Sequence, residues 1–227
     1  MPSVYRLSTN SNATGTNVTG LNYVTGGYTF AFWAKGPNNN GGGDIIRQSS
    51  TANTARDGYI ITFGSAELQA RHLTATTATT YNAASNNRHH QRIWQHFAIT
   101  YDGSVVRGYV NGVLVGRTAA ANVPTANAAC TTTLAPSPAI NSVFAGNLFD
   151  LQIILGASVP EQNIRKLMDP TVVNPNLKGR YFGLGFVGVG AGGILVDESG
   201  SGNNLTVPVA PGRLDIAEEP PIRPTFA

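Results

Sequence analysis

Arg92-Ile-Trp-Gln-His-Phe-Ala-Ile-Thr-Tyr-Asp-Gly103 is followed one residue later by Val105-Val-Arg-Gly-Tyr-Val-Asn-Gly112-Val-Leu-Val-Gly116, and together they read as three consecutive antiparallel strands. Trp94 to Tyr101 is a β-rich run that Asp102-Gly103 breaks. Val105 to Val110 is a second run, and Val113 to Arg117 returns. Between them Asn111-Gly112 signals a two-residue hairpin. Both central positions of a type I′ turn need positive φ, which Asn and Gly tolerate best.

The composition agrees with an all-β chain. Of 227 residues only 12% are charged, while 26 are Gly and 13 are Pro, a mixture suited to short strands joined by tight turns and poor in helix formers. A single domain is expected over residues 1–207, with an irregular lead-in at 1–27 and an extended, proline-rich tail at 208–227. The net charge of +3 is spread thinly. Its densest cluster, Arg88-His-His-Gln-Arg92, lacks the interleaved aromatics of a nucleic-acid surface, so no nucleic-acid partner is expected. No stretch is long and apolar enough to span a membrane, and the amino terminus lacks the apolar core of a signal peptide. The protein is therefore expected to be made in a cytoplasm, and the sequons at Asn12, Asn17 and Asn204 are read as chance. Cys130 stands alone, which excludes a disulfide framework and reads as a buried, inert thiol.

Working outward, Tyr28-Thr-Phe-Ala-Phe-Trp-Ala34 alternates bulky and small residues as a half-buried strand does. Tyr59-Ile-Ile-Thr-Phe63 and Glu67-Leu-Gln-Ala-Arg-His72 form a further strand pair. Residues 73–91 read as a loop or weak edge strand, and 119–138 as a low-complexity loop. After the strand ending at Leu155, Ser158-Val-Pro-Glu161 has the form of a capping box. It opens one short helix near 158–168 through Ile164, Leu167 and Met168, which Asp169-Pro170 ends. The tail has little to hold it unless it lies on a neighbouring subunit or across its own domain. Its candidate partner-binding residues are Pro208, Leu214, Ile216, Pro220, Pro221, Ile222 and Phe226.

Several of these segments carry a family resemblance. Trp94-x-His96-x-Ala98-x-x-Tyr101-Asp102-Gly103, then Tyr109-Val-Asn-Gly112, resembles the laminin-G-like, concanavalin A-like lectin jelly roll. Val143-Phe-Ala-Gly-Asn-Leu-Phe-Asp-Leu-Gln-Ile-Ile-Leu155 resembles a family strand that carries two adjacent acids. Here Phe149 stands in place of the first acid and Asp150 remains. Lys178 to Phe186, followed by Ile194 to Val207, resembles a motif that opens the domain in many members. In this chain it stands at the carboxyl end, as in a permuted jelly roll or one closed by a late strand pair. The resemblance implies an antiparallel β-sandwich. No cofactor or metal is expected; the one the resemblance raises is calcium, with Asp102, Asp150 and Asp197 in family-like positions and Asp150 and Asp197 the candidate ligands.

Catalytic chemistry finds little purchase. Glycoside hydrolysis needs two opposed carboxyl groups, but the 12 acids are scattered and pair only at Asp197-Glu198 and Glu218-Glu219, with Glu67 alone in a strand context. His89-His90 has no spaced third ligand for zinc. His96 reads as a structural histidine bonded to a neighbouring strand or loop. The expectation is a non-enzymatic virion structural protein, a capsid decoration, head-fibre or tail component assembled in a host cytoplasm. Its partners would be neighbouring virion subunits or capsid protein, with the chain itself a homo-oligomer and a glycan as a further ligand. The alternative is a carbohydrate-binding lectin module, with Tyr59 or Tyr81 exposed at a rim. Fold alone does not decide between them.

Overall fold

The computed structural model describes residues 4–6, 13–15, 19–23, 25–35, 43–49, 57–63, 67–74, 76–84, 93–126, 130–134, 147–169, 171–181, 186–187, 193–207 and 216–217. In chain order the strands are β1 (Val4–Arg6), β2 (Ala13–Gly15), β3 (Tyr28–Lys35), β4 (Gly43–Ser49), β5 (Gly58–Phe63), β6 (Leu68–Leu73), β7 (Ala78–Ala84), β8 (Gln95–Tyr101) and β9 (Val105–Val110). They continue as β10 (Val113–Ala119), β11 (Thr131–Leu134), β12 (Asn147–Leu155), β13 (Leu177–Tyr181), β14 (Phe186–Val187), β15 (Gly193–Leu195), β16 (Leu205–Val207) and β17 (Ile216–Ala217). The first sheet runs β10-β9-β8-β3-β12-β1-β17, with β13 also paired to β12, and the second runs β14-β15-β16-β2-β11-β4-β5-β6-β7.

The signature stretch forms β8, β9 and β10 at one side of the first sheet. Asn111 and Gly112 hold φ of 50° and 74°, and Val110 faces Val113 across the turn. Asn111 also locks the hairpin to β8, because its Oδ1 accepts the His96 N–H at 2.9 Å. At the other turn, Asp102 Oδ1 accepts the N–H groups of Ser104 and Val105 at 2.9 and 2.8 Å. Burial alone would raise the Asp102 carboxyl, but the Arg107 guanidinium and these bonds outweigh it and hold the group below its usual range.

Alternation sends Tyr28, Phe30 and Phe32 of β3 inward with Phe97, Ile99 and Tyr101 of β8, against Tyr59, Ile61 and Phe63 of β5. Ring centroids of Phe30–Tyr59 and Phe63–Phe97 lie 4.9 and 4.6 Å apart across the two sheets, so the aromatic strands join them into a sandwich. Each buried Phe stabilises the fold by about 1.5–3 kcal/mol. Tyr59 and Tyr81 belong to this core, at 0% and 3% exposure, which corrects their placement as exposed rim aromatics.

Three local expectations are corrected. The lead-in is not all loop, since β2 pairs with β11 and β16 and Leu21 is fully buried. The 119–138 segment holds β11, inserted between β2 and β4. Its Thr-Thr-Thr-Leu sequence has β-branched residues but no bulky alternation, and the backbone ladder on both sides places it. The helix is a 3-10 helix over Glu161–Met168 whose N-cap is Pro160, in extended conformation and without a side-chain cap bond. Ser158 is not the cap because Pro160 itself is extended and, as a proline, disfavours helical ψ at Val159 before it. The Val159 N–H instead donates to Thr29 Oγ1 at 2.9 Å. Ile164 and Leu167 then bury against Ala31, Ala98, Tyr109 and Ile154 on the outer face of the first sheet.

At the carboxyl end β15 and β16 close onto β2, a late strand pair completing the second sheet. Ile216 and Ala217 pair with Tyr5 and Val4 of the chain's own β1. The other candidate tail residues, Pro208, Leu214, Pro220, Pro221, Ile222 and Phe226, lie outside the described residues.

Candidate functional site

Where the amino-terminal turn, the corner after β12 and the loop after β15 meet, the rim of the sandwich opens into a cleft of about 520 Å³. Its polar lining is Asn22, Thr25, Asn176, Lys178, Ser201 and Asn203, with Gly20, Leu155 and Gly156 between them. The volume falls in the range of small-molecule sites.

Two of its walls are built by buried polar groups. Gln48, 1% exposed, staples the first wall: its Nε2 donates to the Leu21 carbonyl at 2.8 Å and to Asn22 Oδ1 at 2.7 Å, and its Oε1 accepts the Tyr23 N–H at 3.0 Å. Asp197 organises the second. Its Oδ1 accepts the N–H groups of Arg180 and Ser199, and its Oδ2 accepts Ser199 Oγ and the Asn203 N–H, all at 2.9 Å. Asn203 Nδ2 then donates to the Lys178 carbonyl at 2.6 Å, and the Tyr181 hydroxyl donates to the Asn203 carbonyl at 2.6 Å. Burial, with the Asp197 charge beside it, pushes the Tyr181 hydroxyl well above its usual range and keeps it a donor. Gly156 forms the third wall at φ 87°, its N–H donating to the Gly27 carbonyl.

The glycine at position 20 leaves the room that the Asn203 side chain occupies. A Cβ there would lie 2.2 Å from Asn203 Oδ1, so the two walls meet through Gly20. The side chains of Thr25, Asn176 and Lys178 are exposed at the opening. They supply a hydroxyl, an amide and an ammonium, which suit a ligand rich in hydroxyl groups.

The sequence-derived candidates sit elsewhere or beneath this surface. Asp150, at φ 49° within β12, forms a fork-to-fork ion pair with Arg180: Nε to Oδ1 at 2.7 Å and Nη2 to Oδ2 at 2.8 Å. Gln152 Nε2 donates to the same Oδ2 at 3.0 Å. Burial pushes the Asp150 carboxyl above its ordinary value, against the opposing pull of Arg180 and Gln152. Two donors on each oxygen fill the four lone-pair directions of Asp197, and three donors meet Asp150. Among the described residues no three His, Cys, Asp or Glu side chains gather where they could hold a metal ion. Asp102 is spent on its turn and on Arg107.

His96 is fully buried on the outer face of the first sheet, edge-on to Trp33 at 5.4 Å. Neither ring nitrogen has a partner in hydrogen-bond geometry, so the expected bond to a neighbouring strand or loop is made by its backbone and not its ring. Burial depresses its pKa to about 3, with the nearby Leu167 carbonyl opposing that effect. His72, whose structural importance the sequence did not signal, lies in the aromatic core between Asn122 and Tyr28. Its Nδ1 donates to the Asn122 carbonyl at 2.6 Å and its Nε2 accepts the Tyr28 hydroxyl at 2.7 Å, a neutral tautomer dictated by a carbonyl that can only accept. Burial lowers its pKa to about 4, against the opposing Asn122 bond. Cys130 is buried, its Sγ 3.7 Å from the Asp57 carbonyl, and burial pushes the thiol up to about 11.

A laminin-G family model described as the Concanavalin A-like lectin/glucanases superfamily matches residues 8–162, and the chain belongs to that family. No curated protein matches the chain in sequence. Among solved structures it resembles a Bacteroides ovatus protein named as a candidate carbohydrate binder, at 13% identity and a TM-score of 0.64, covering 96% of this chain. The match spans 62% of that protein. The CBM40 module of a Ruminococcus gnavus IT-sialidase, solved with α2,3-sialyllactose, matches at 10% identity and a TM-score of 0.56, covering 73% of this chain and 96% of the module. A heptameric SAP-like pentraxin from Limulus polyphemus matches at 14% identity and a TM-score of 0.52, covering 76% of this chain and 84% of its own. These likenesses share the fold.

Proposed function

We propose that the chain is a non-catalytic, lectin-like binding module whose rim cleft holds a sugar. The observation that carries this reading is the lining of that cleft: amides, hydroxyls and one ammonium, fixed by buried Gln48 and Asp197, around a volume that fits a small saccharide. Sugar hydroxyls both donate and accept, and Asn side chains answer both roles. The carbohydrate-binding names of two structural relatives support the same reading.

This moves the balance from the virion role to the glycan-binding alternative, because those relatives are named for carbohydrate binding and not as capsid or tail components. Copurification of the chain with capsids is the result that would restore the virion role. We read Asp150 and Asp197 as structural carboxylates and not as calcium ligands, since a calcium ion would have to displace donors already seated on them. The test is a glycan array probed with the purified chain. Binding to a defined saccharide class is expected, weakened about tenfold or more by Asn176→Ala combined with Lys178→Gln, the loss of one or two polar contacts. A folded chain that binds nothing on the array would overturn the proposal.

A further inference from the structure

Away from the cleft, the second sheet carries a charged row across its outer face. Arg47 of β4 pairs with Ile60 of β5, Ile60 with Arg71 of β6, and Arg71 with Thr80 of β7. Their neighbours Ile46, Ile61, Ala70 and Tyr81 point into the core, so the row points out of it. Two strand spacings put the arginine backbones about 10 Å apart. Ile60 between them is only 1% exposed although it points away from the core, consistent with arginine stems lying over it.

The guanidinium groups are left with unmet bonding capacity. The Nε atoms of Arg47 and Arg71 are both buried without a hydrogen-bond partner. The Arg107–Asp102 and Arg180–Asp150 ion pairs involve neither. Burial lowers the Arg47 pKa, with Asp44 opposing that effect and the like charge of Arg71 adding to it. The acids on this face lie toward one end: Asp44 accepts a bond from Thr62, and Glu67 accepts one from Gln69. Unsatisfied buried donors cost free energy, and two arginines held on either side of one isoleucine repel each other. An anion laid across the exposed parts of the two guanidinium groups would relieve that repulsion.

We infer that the Arg47–Ile60–Arg71–Thr80 row is a second binding site, for a glycan that carries a carboxylate or sulfate group. Arginine forks match the planar or tetrahedral oxygens of these anions. Gln69, Thr80 and Asn82 beside them offer amides and a hydroxyl to the remaining sugar hydroxyls. The described side chains of this face include no aromatic ring on which a nucleobase could stack, which favours an acidic saccharide over single-stranded nucleic acid. The site lies on a different surface from the rim cleft and stands without it.

Calorimetric titration of the full chain tests this with four probes: an oligogalacturonate, a sulfated heparin-derived oligosaccharide, neutral maltohexaose and a single-stranded oligonucleotide. At least one acidic saccharide should bind, and which of the two binds identifies the acid. Its affinity should fall about tenfold or more in Arg47→Gln/Arg71→Gln, the loss expected for charge-assisted bonds. It should be unchanged in Asn176→Ala/Lys178→Gln, so failure of the cleft reading and failure of this one are distinguishable. Arg47→Lys/Arg71→Lys keeps the charge and loses the fork, so it should also weaken binding and serves if the glutamine variant does not fold. Absence of acidic-saccharide binding, undiminished binding by both arginine variants, or tighter binding of the oligonucleotide would overturn the inference.

Discussion

Replacing Arg180 with Met isolates what the deepest ion pair of the fold contributes. Arg180 and Asp150 side chains are 4% and 0% exposed, and they meet through two parallel bonds of 2.7 and 2.8 Å. Arg180 also reaches the Val172 carbonyl at 3.2 Å. The substitution leaves Asp150 buried with only Gln152 as a side-chain donor, a loss of about 3–5 kcal/mol, as for other buried pairs broken on one side. Against a total stability on the order of 5–15 kcal/mol, that is a large fraction. Urea denaturation should show it as a midpoint shift of about 1–2.5 M, given an m-value of roughly 2–3 kcal/mol/M. The deficit should depend on pH with a definite sign. In the variant the folded Asp150 pKa rises further above its unfolded value, so stability is retained at low pH and lost as pH rises through the folded pKa. The gap from wild type should therefore narrow by up to about 1.4 kcal/mol per pH unit as pH falls from 7 toward 4. Adding Asp150→Asn removes the stranded charge while keeping a residue that tolerates φ 49°, and should recover more than half of the loss. A single-variant cost below about 1 kcal/mol, or a double variant less stable than the single, would refute this reasoning.

The two buried imidazoles predict acid sensitivity. Their folded pKa values, about 4 for His72 and about 3 for His96, lie below the unfolded 6.5, so their contribution is complete above pH 6.5 and declines as pH falls. Denaturation series should show stability falling as pH drops from 6.5 toward 4, the two imidazoles contributing up to roughly 3 kcal/mol per pH unit against the opposing effect of Asp150. His96→Leu should halve the slope at little cost at neutral pH, because its ring nitrogens make no well-formed hydrogen bond. His72→Leu should cost about 2 kcal/mol or more by stranding Tyr28 and Asn122. A flat profile from pH 7 to 4 would contradict both. Gly20→Ala should displace Asn203 from the cleft, lower the melting temperature by a few degrees and reduce saccharide affinity, as calorimetry and titration would show. Chelation with EDTA should leave the melting temperature unchanged, and a rise on adding calcium would count against the structural role given to Asp150 and Asp197.

The sandwich was legible because its centre is locally encoded. Trp94 to Gly116 contains its own alternation, an Asp102-Gly103 break and an Asn111-Gly112 turn, and all three act over neighbouring residues. Where placement depends on distant partners the sequence is silent. Thr131 to Leu134 looks like low complexity until β2 and β4 bond to its two sides. Leu21 to Tyr23 are drawn inward by Gln48, 25 to 27 residues away. The capping box at Ser158 lost to the conformational demand of Pro160 on Val159, a signal that was present in the sequence. The cleft left no local trace, because Asn22 and Asn203 come from opposite ends of the chain and meet only after β16 closes onto β2. The arginine row is similar: Arg47 and Arg71 share a face only through the register of β4, β5 and β6.

The most direct test of the sugar-binding cleft is amide chemical-shift mapping of the isotope-labelled chain, titrated with the saccharide selected on the glycan array. Shifts concentrated at residues 20–22, 25, 155–156, 176–178 and 201–203, and needing about tenfold or more saccharide to appear in Asn176→Ala/Lys178→Gln, are predicted. Saturable shifts confined to another surface, with the cleft residues unmoved, would contradict the account.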